Sequence, residues 1–470
     1  MLLAPLFALA LALVVPQPGT PPSMLQPGAP PSMLQPGASS STVQPGASSS
    51  TLHVGGRGAY ATPAAAVAAA RAGDTVRVAP GVYRGSFAVD RRVVLIAERG
   101  AVLDGGGAGS VVTLAADSIE VTGFEIRGSG RSLDRDEAAV KVERCTGCRV
   151  IGNRISDSLH GIYLLESHGI AVLGNTIHGD TRLPEARRGN GIHLFHSTGS
   201  RLENNTIRAT RDGMYFSFAS GHVVSDNDIH GVRYGLHYMY SDDNRFQRNR
   251  FEQNAAGAAI MFSRRIVFQE NTFARHVGYR AYGILLQTAY DIVAERNRIE
   301  GNLVGIFLDM SSGNTFRENL IAGNGIGIDM IASAEDNTFV RNAISGNRTA
   351  VRKPNGDGVN TNRWAEAGQG NYWGDRSVFD LDGDGIGDRP YRAGDSFATM
   401  AALRPVLEIF VGTLAARALS WAEEAFPVFN LPRVVDPTPL VRPPAEVPAI
   451  TERHPGPVKV HLPLNGNSMR

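Results

Sequence analysis

Three side chains in this sequence could hold a soft metal ion. Gly235-Leu-His-Tyr-Met places His237 and Met239 two residues apart, and Gly257-Ala-Ala-Ile-Met places Met261 22 residues further on. On an extended strand, residues two apart share a face at about 6.6 Å, and a neighbouring strand runs about 4.8 Å away. Two thioethers and an imidazole within that reach suit Cu(I), a soft ion. His193, one of nine histidines among twelve that fall between His160 and His276, is a further candidate. The competing reading has equal weight: Met and aromatic residues on a sheet face also make an apolar groove covered by another element or a partner.

A second group is carboxylate-rich. Asp380-Leu-Asp-Gly-Asp-Gly-Ile-Gly-Asp388 puts Asp380, Asp382, Asp384 and Asp388 at positions 1, 3, 5 and 9 of a calcium-loop pattern, with glycine at position 6. Tyr391 stands where the position-12 glutamate would be, so Ca²⁺ and a metal-free Asp/Gly turn are both open. Cys145 and Cys148 form a Cys-x-x-Cys. Cys145 falls in a column with Ser167, Ser197 and Ala219, which favours small buried side chains, able to oxidise to each other, over a metal or redox site. For catalysis the acidic candidates are Asp134, Asp136, Asp212, Asp242, Asp243 and Asp309. Glycoside chemistry needs a facing carboxylate pair, and no such constellation stands out, so the chain does not read as an enzyme.

These residues must be positioned by a repeat. An asparagine recurs before an apolar residue at 153, 175, 205, 227, 249, 271, 297, 319 and 342, mostly 22 residues apart. Gly161, Gly191, Gly213, Gly235, Gly257, Gly283 and Gly305 each precede the next asparagine by 14. The apolar residues alternate with period 2 in runs of a few residues, which means short strands. The pattern predicts an all-β right-handed parallel β-helix, with coils from about Ala88 to Arg352. Ile155, Ile177, Ile207, Ile229, Phe251, Phe273, Ile299 and Ile321 form one expected core column. The asparagines form a turn ladder. In the strand after each glycine, offsets 1 and 3 point in and offsets 2 and 4 point out. Longer intervals predict loops over 179–190 and 274–282.

Taken in order, residues 1–19 read as a secretory signal and 20–55 as a Pro/Gly/Ser linker built on a nine-residue tandem. Residues 56–370 are the β-helix, with a cap helix over 63–71 that covers its open end. Residues 371–400 are the Asp/Gly-rich region, and 401–470 hold an amphipathic helix over 403–425 and a Pro-rich tail. A formal net charge of +1 offers no global field for nucleic acid.

Gly235-Leu-His-Tyr-Met-Tyr-Ser, Gly257-Ala-Ala-Ile-Met-Phe-Ser, Asn371-Tyr-Trp-Gly-Asp and the Asp380–Tyr391 run resemble the NosD family over about residues 52–440. The resemblance implies a periplasmic accessory protein for the copper–sulfur centre of nitrous oxide reductase. Its implied partners are a copper chaperone, the reductase and an ABC transporter, whose membrane subunit the C-terminal helix would meet. The alternative is a polysaccharide lyase, hydrolase or epimerase on the same scaffold. A purely adhesive β-helix would show a polar outer face without clustered His and Met.

Overall fold

A computed structural model describes residues 49–331, 333–352, 361–374, 378–393, 405–410, 413–425 and 434–449. The signal segment and nearly all of the 20–55 stretch lie outside the described residues.

Short strands, mostly of three residues in two of the sheets and longer in the third, are joined by tight turns, many with one left-handed residue such as Asp226, and wind the chain into a coil. Successive coils hydrogen-bond in parallel, giving sheets of 13, 13 and 12 strands. Sheet 1 runs from Thr51–Val54 to Thr338–Val340, sheet 2 from Gly81–Arg84 to Tyr372–Trp373, and sheet 3 from Phe87–Val89 to Thr349–Arg352. The architecture is the expected right-handed parallel β-helix. The expected limits were too narrow at both ends. The first strand, Thr51–Val54, lies in the stretch read as linker, where it pairs with Thr75–Val78. The last coil closes at Tyr372–Trp373, which pairs with Ala343–Ser345. The cap helix is shorter than expected, Pro63–Ala69, with the Thr62 side chain accepting from the amide of Ala65.

The expected core column is stacked in register, as in Ile207↔Ile229, Ile229↔Phe251 and Phe251↔Phe273. Each of these side chains is fully buried. Phe251 and Phe273 lie face to face with centroids 5.1 Å apart. The asparagine ladder is continuous from Asn153 to Asn371. At each step one Oδ1 accepts both the backbone N–H and the Nδ2–H of the asparagine one coil earlier. For Asn227 onto Asn249 these distances are 3.1 and 2.8 Å. The Nδ2 of Asn249 also donates to Val224 O at 2.9 Å. Each amide thus satisfies buried backbone groups that a turn leaves unpaired.

The recurring glycines have a separate cause. A Cβ on Gly213 would sit 2.3 Å from Ile229 Cγ2 and 2.6 Å from Gly235 O. The chain enters sheet 3 pressed against the core column of the next coil, and only glycine fits that approach. The alternation of in and out is broken at this point. The residue before the glycine therefore faces outward, with offsets 2 and 4.

Candidate functional site: the outer face of sheet 3

In the strands Tyr234–Met239 and Ala256–Arg264, Leu236, Tyr238, Ala258 and Ile260 fill the core. His237, Met239 and Met261 face out and are partly buried. The register places Met239 directly beside Met261, and His237 beside Ala259. Tyr215, one coil earlier, points its hydroxyl at Met239 Sδ, 3.8 Å away. The structure therefore brings His237, Met239 and Met261 into one patch. His193 is left apart from it. Tyr163, His193, Tyr215 and His237 alternate edge to face at 4.6 Å per step, so the Tyr215 ring stands between the two histidines. His193 Nδ1 faces the Asn190 amide at 3.4 Å. Burial pushes its pKa well below the ordinary imidazole value.

His237 has a partner that the sequence reading missed. Its Nδ1 lies 3.0 Å from Asp212 Oδ2, and Asp212 is completely buried. Arg233 grips both oxygens of that carboxylate, at 2.8 and 2.7 Å. Burial raises the Asp212 pKa, but the hydrogen bonds from His237 and Arg233 outweigh it and hold the carboxyl at about 2. Asp212 is the residue before Gly213, the position that strict alternation would have turned inward.

The histidine cluster divides once its hydrogen bonds are drawn. His222 and His276 stand in rung-to-rung columns and do the work of ladder asparagines, and buried His160 likewise accepts a backbone N–H, though from the following coil. Their Nδ1 atoms accept the backbone N–H of Asn190, Ser200 and Asn254 at 3.1, 2.9 and 3.2 Å. Burial lowers their pKa values to about 3, 4 and 3. These three are structural, so the density of histidine in the sequence overstated the donor set. The neighbouring end of the face is roofed by loops around residues 129–137 and 179–190. Arg131 and Arg182 hold them to Asp157 and Asp180, and Tyr163 donates to Asp136 at 2.9 Å.

At the exit corner of sheet 3, His196, Phe218, Tyr240 and Phe262 stack along successive coils with centroids 4.8, 5.2 and 5.1 Å apart. Phe218, Tyr240 and Phe262 remain exposed despite this stacking. The carboxylates considered for catalysis are mostly engaged. Asp212 is held by Arg233, while Asp242 and Asp243 pair with Arg264 and Arg265.

In the Asp-rich loop, Asp380, Asp382 and Asp384 bring ligand oxygens within 4.8 Å of one another. Asp388 instead accepts from the Leu381 amide at 2.6 Å. Cys145 and Cys148 are buried and joined in a disulfide. The expected 403–425 helix is two segments among the described residues, a 3₁₀ turn at Pro405–Phe410 and an α-helix at Leu414–Ala425. Val406, Ile409 and Leu414 are largely exposed. None of the described helices is long and apolar enough to cross a membrane.

The chain is thus a parallel β-helix whose third sheet carries His237, Met239 and Met261 on its outer face, the two methionines in register. Residues 173–377 match the family described as periplasmic copper-binding protein (NosD). The chain is 40% identical over 386 residues to the probable ABC transporter binding protein NosD of Pseudomonas aeruginosa, covering 79% of this chain and 89% of that one. To the protein of the same name from Stutzerimonas stutzeri it is 35% identical, over 79% of this chain and 87% of that one. Among solved structures the Dettilon tailspike protein aligns with a TM-score of 0.52 at 16% identity, over 64% of this chain and 65% of the tailspike, a likeness of fold alone. The chain belongs to the NosD family.

Proposed function

We propose that this protein is a periplasmic accessory in building the copper–sulfur centre of nitrous oxide reductase, and that it carries Cu(I) on the outer face of sheet 3. The observation that supports this reading most is the register pairing of Met239 with Met261, with His237 two residues from Met239 on the same face. Thioether sulfur and imidazole nitrogen favour Cu(I) over hard cations, and the family is described as copper-binding. The ion is cargo: three exchangeable donors hold it, and copper enters from a chaperone and leaves towards the reductase. The relatives are named as ABC transporter binding proteins. The exposed apolar residues of the C-terminal helical segments suit docking on that transporter's membrane subunit. Asp380, Asp382 and Asp384 are proposed as a weak Ca²⁺ loop. The engaged carboxylates favour this reading over glycan cleavage.

Cu(I) titration against a competing chelator tests the site. Met239→Leu with Met261→Leu keeps volume and apolarity but removes both sulfurs. At least a hundredfold loss of Cu(I) affinity is expected. Unchanged affinity in the double variant would make the Met pair a covered apolar patch.

A further inference from the structure

On the reading that His237 is a copper ligand, we infer that Asp212, anchored by Arg233, is the positioning residue that fixes which nitrogen of His237 faces outward. The geometry decides between two neighbours. His237 Nδ1 lies 3.0 Å from the carboxylate of Asp212 and 3.5 Å from the guanidinium of Arg233. The guanidinium can only donate and the carboxylate can only accept. The same Arg233 nitrogen already donates to Asp212 at 2.7 Å. The shorter, charge-assisted contact governs, so Nδ1 carries the proton and donates it to Asp212. Neutral imidazole carries one ring proton, so the lone pair falls on Nε2.

Three other histidines of this region show that such an arrangement is not imposed by the fold. At His160, His222 and His276, Nδ1 accepts a backbone N–H. In the neutral ring their Nε2 must then carry the proton, and no lone pair is left for a metal. At His222 that proton is placed on Ser197 O at 2.9 Å. What meets Nδ1 thus separates these three from His237: a backbone N–H makes Nδ1 an acceptor there, and a buried carboxylate leaves Nε2 free here.

Asp212 is fixed in place because Arg233 donates to both of its oxygens, through Nε to Oδ1 and through one terminal nitrogen to Oδ2. The carboxylate is therefore held with Oδ2 facing His237 Nδ1. A carboxylate behind a ligating imidazole fixes the tautomer and raises ligand basicity, and its loss typically lowers metal affinity about 10- to 100-fold.

The test begins without metal. Nitrogen-15 NMR of the histidine-labelled apo protein, with His237→Gln for assignment, reads the tautomer directly. A protonated Nδ1 and a bare Nε2 are expected in the neutral ring. Asp212→Asn should give a mixed or reversed tautomer and Cu(I) affinity lower by about 10- to 100-fold, and Asp212→Glu should restore part of both. A wild-type His237 protonated on Nε2 would overturn the inference, as would an Asp212→Asn protein with unchanged tautomer and affinity. If Asp212→Asn fails to fold by circular dichroism, the wild-type tautomer still decides. A wild-type protein with the expected tautomer and no Cu(I) binding would remove the copper reading and leave the positioning role standing.

Discussion

The asparagine corner and the outer face of sheet 3 are built from the same 22-residue period but are chemically opposite. At the corner every polar side chain serves the backbone of a neighbouring coil, and one residue type repeats because one hydrogen-bonding task repeats. On the outer face no backbone group needs service, so each coil can carry something different, from Tyr163 to His193, Tyr215, His237 and Ala259. Periodicity marks what holds the coil together. Departure from it marks where the coil is used.

The comparison can be broken most violently at the corner. Asn249→Ala would leave the N–H of Asn227 without its Oδ1 acceptor and Val224 O without the Asn249 donor, while Asn227 Nδ2 keeps Leu202 O and Ser225 O. Unpaired buried groups cost about 1–3 kcal/mol each, so a loss of roughly 2–6 kcal/mol is expected. A urea midpoint within error of the wild type would show that the ladder is ornamental.

Acid should act next most strongly, through the ladder histidines. His276 is completely buried and burial lowers its pKa to about 3. The unfolded imidazole titrates near 6.5. Between those values the unfolded state binds the extra proton, so stability is complete above pH 6.5 and falls as pH drops. One such histidine accounts for up to about 1.4 kcal/mol per pH unit, or roughly 2 kcal/mol at pH 5. His276→Asn installs the residue found next in its column, Asn302, whose Oδ1 already accepts from the His276 amide. That variant should fold and lose roughly 2 kcal/mol less than the wild type between pH 7.5 and 5. An identical pH dependence would show that His276 titrates normally in the fold.

The face should be the tolerant region. Met239→Leu with Met261→Leu conserves volume, so a stability change under about 1.5 kcal/mol is expected, even as Cu(I) affinity collapses. A large loss of stability would show that the pair is a packing element and would make its copper data uninterpretable as ligand loss.

This division also explains what the sequence could show. The coil, its core columns and its ladder were legible because a fixed register makes each contact recur, and Ile229 or Phe251 can be placed inside by counting. His237, Met239 and Met261 were legible as neighbours by the same count. Asp212 was not, because the inversion at Gly213 turns the preceding residue outward, and alternation alone gives the wrong side. The signal was present in the glycine itself, which is needed where a Cβ would strike Ile229. The ladder role of His222 and His276 was hidden for another reason. Imidazole Nδ1 and amide Oδ1 are different letters for one acceptor, and only the hydrogen bonds reveal the equivalence. The ends of the coil were misjudged because the terminal strands lack the paired Asn and Gly markers.

The smallest expected effect lies at the far end of the molecule. The Asp-rich loop is tied to the segment that closes the last coil: Gly387 N donates to Pro439 O at 2.7 Å, and Val441 N to Gly385 O at 3.0 Å. Just before that segment, buried Asp436 accepts from Trp373 Nε1 at 2.9 Å and from the amide of Asn371, the last ladder residue, at 2.7 Å. A cation held by Asp380, Asp382 and Asp384 would relieve their mutual repulsion and stiffen this closure. Their oxygens already converge, but Asp388 is turned to the Leu381 amide and no position-12 glutamate exists. Too few ligands remain for tight binding. Ca²⁺ at ten times its dissociation constant adds about 1.4 kcal/mol by mass action. Millimolar Ca²⁺ should therefore raise the melting temperature by a few degrees at most. Asp382→Asn with Asp384→Asn should abolish the shift while leaving Cu(I) binding unchanged. A shift that survives the double substitution would move the cation elsewhere. No shift at any concentration in the wild type would leave the loop as a metal-free turn, its Asp380 oxygens serving only the amides of Gly383 and Gly385.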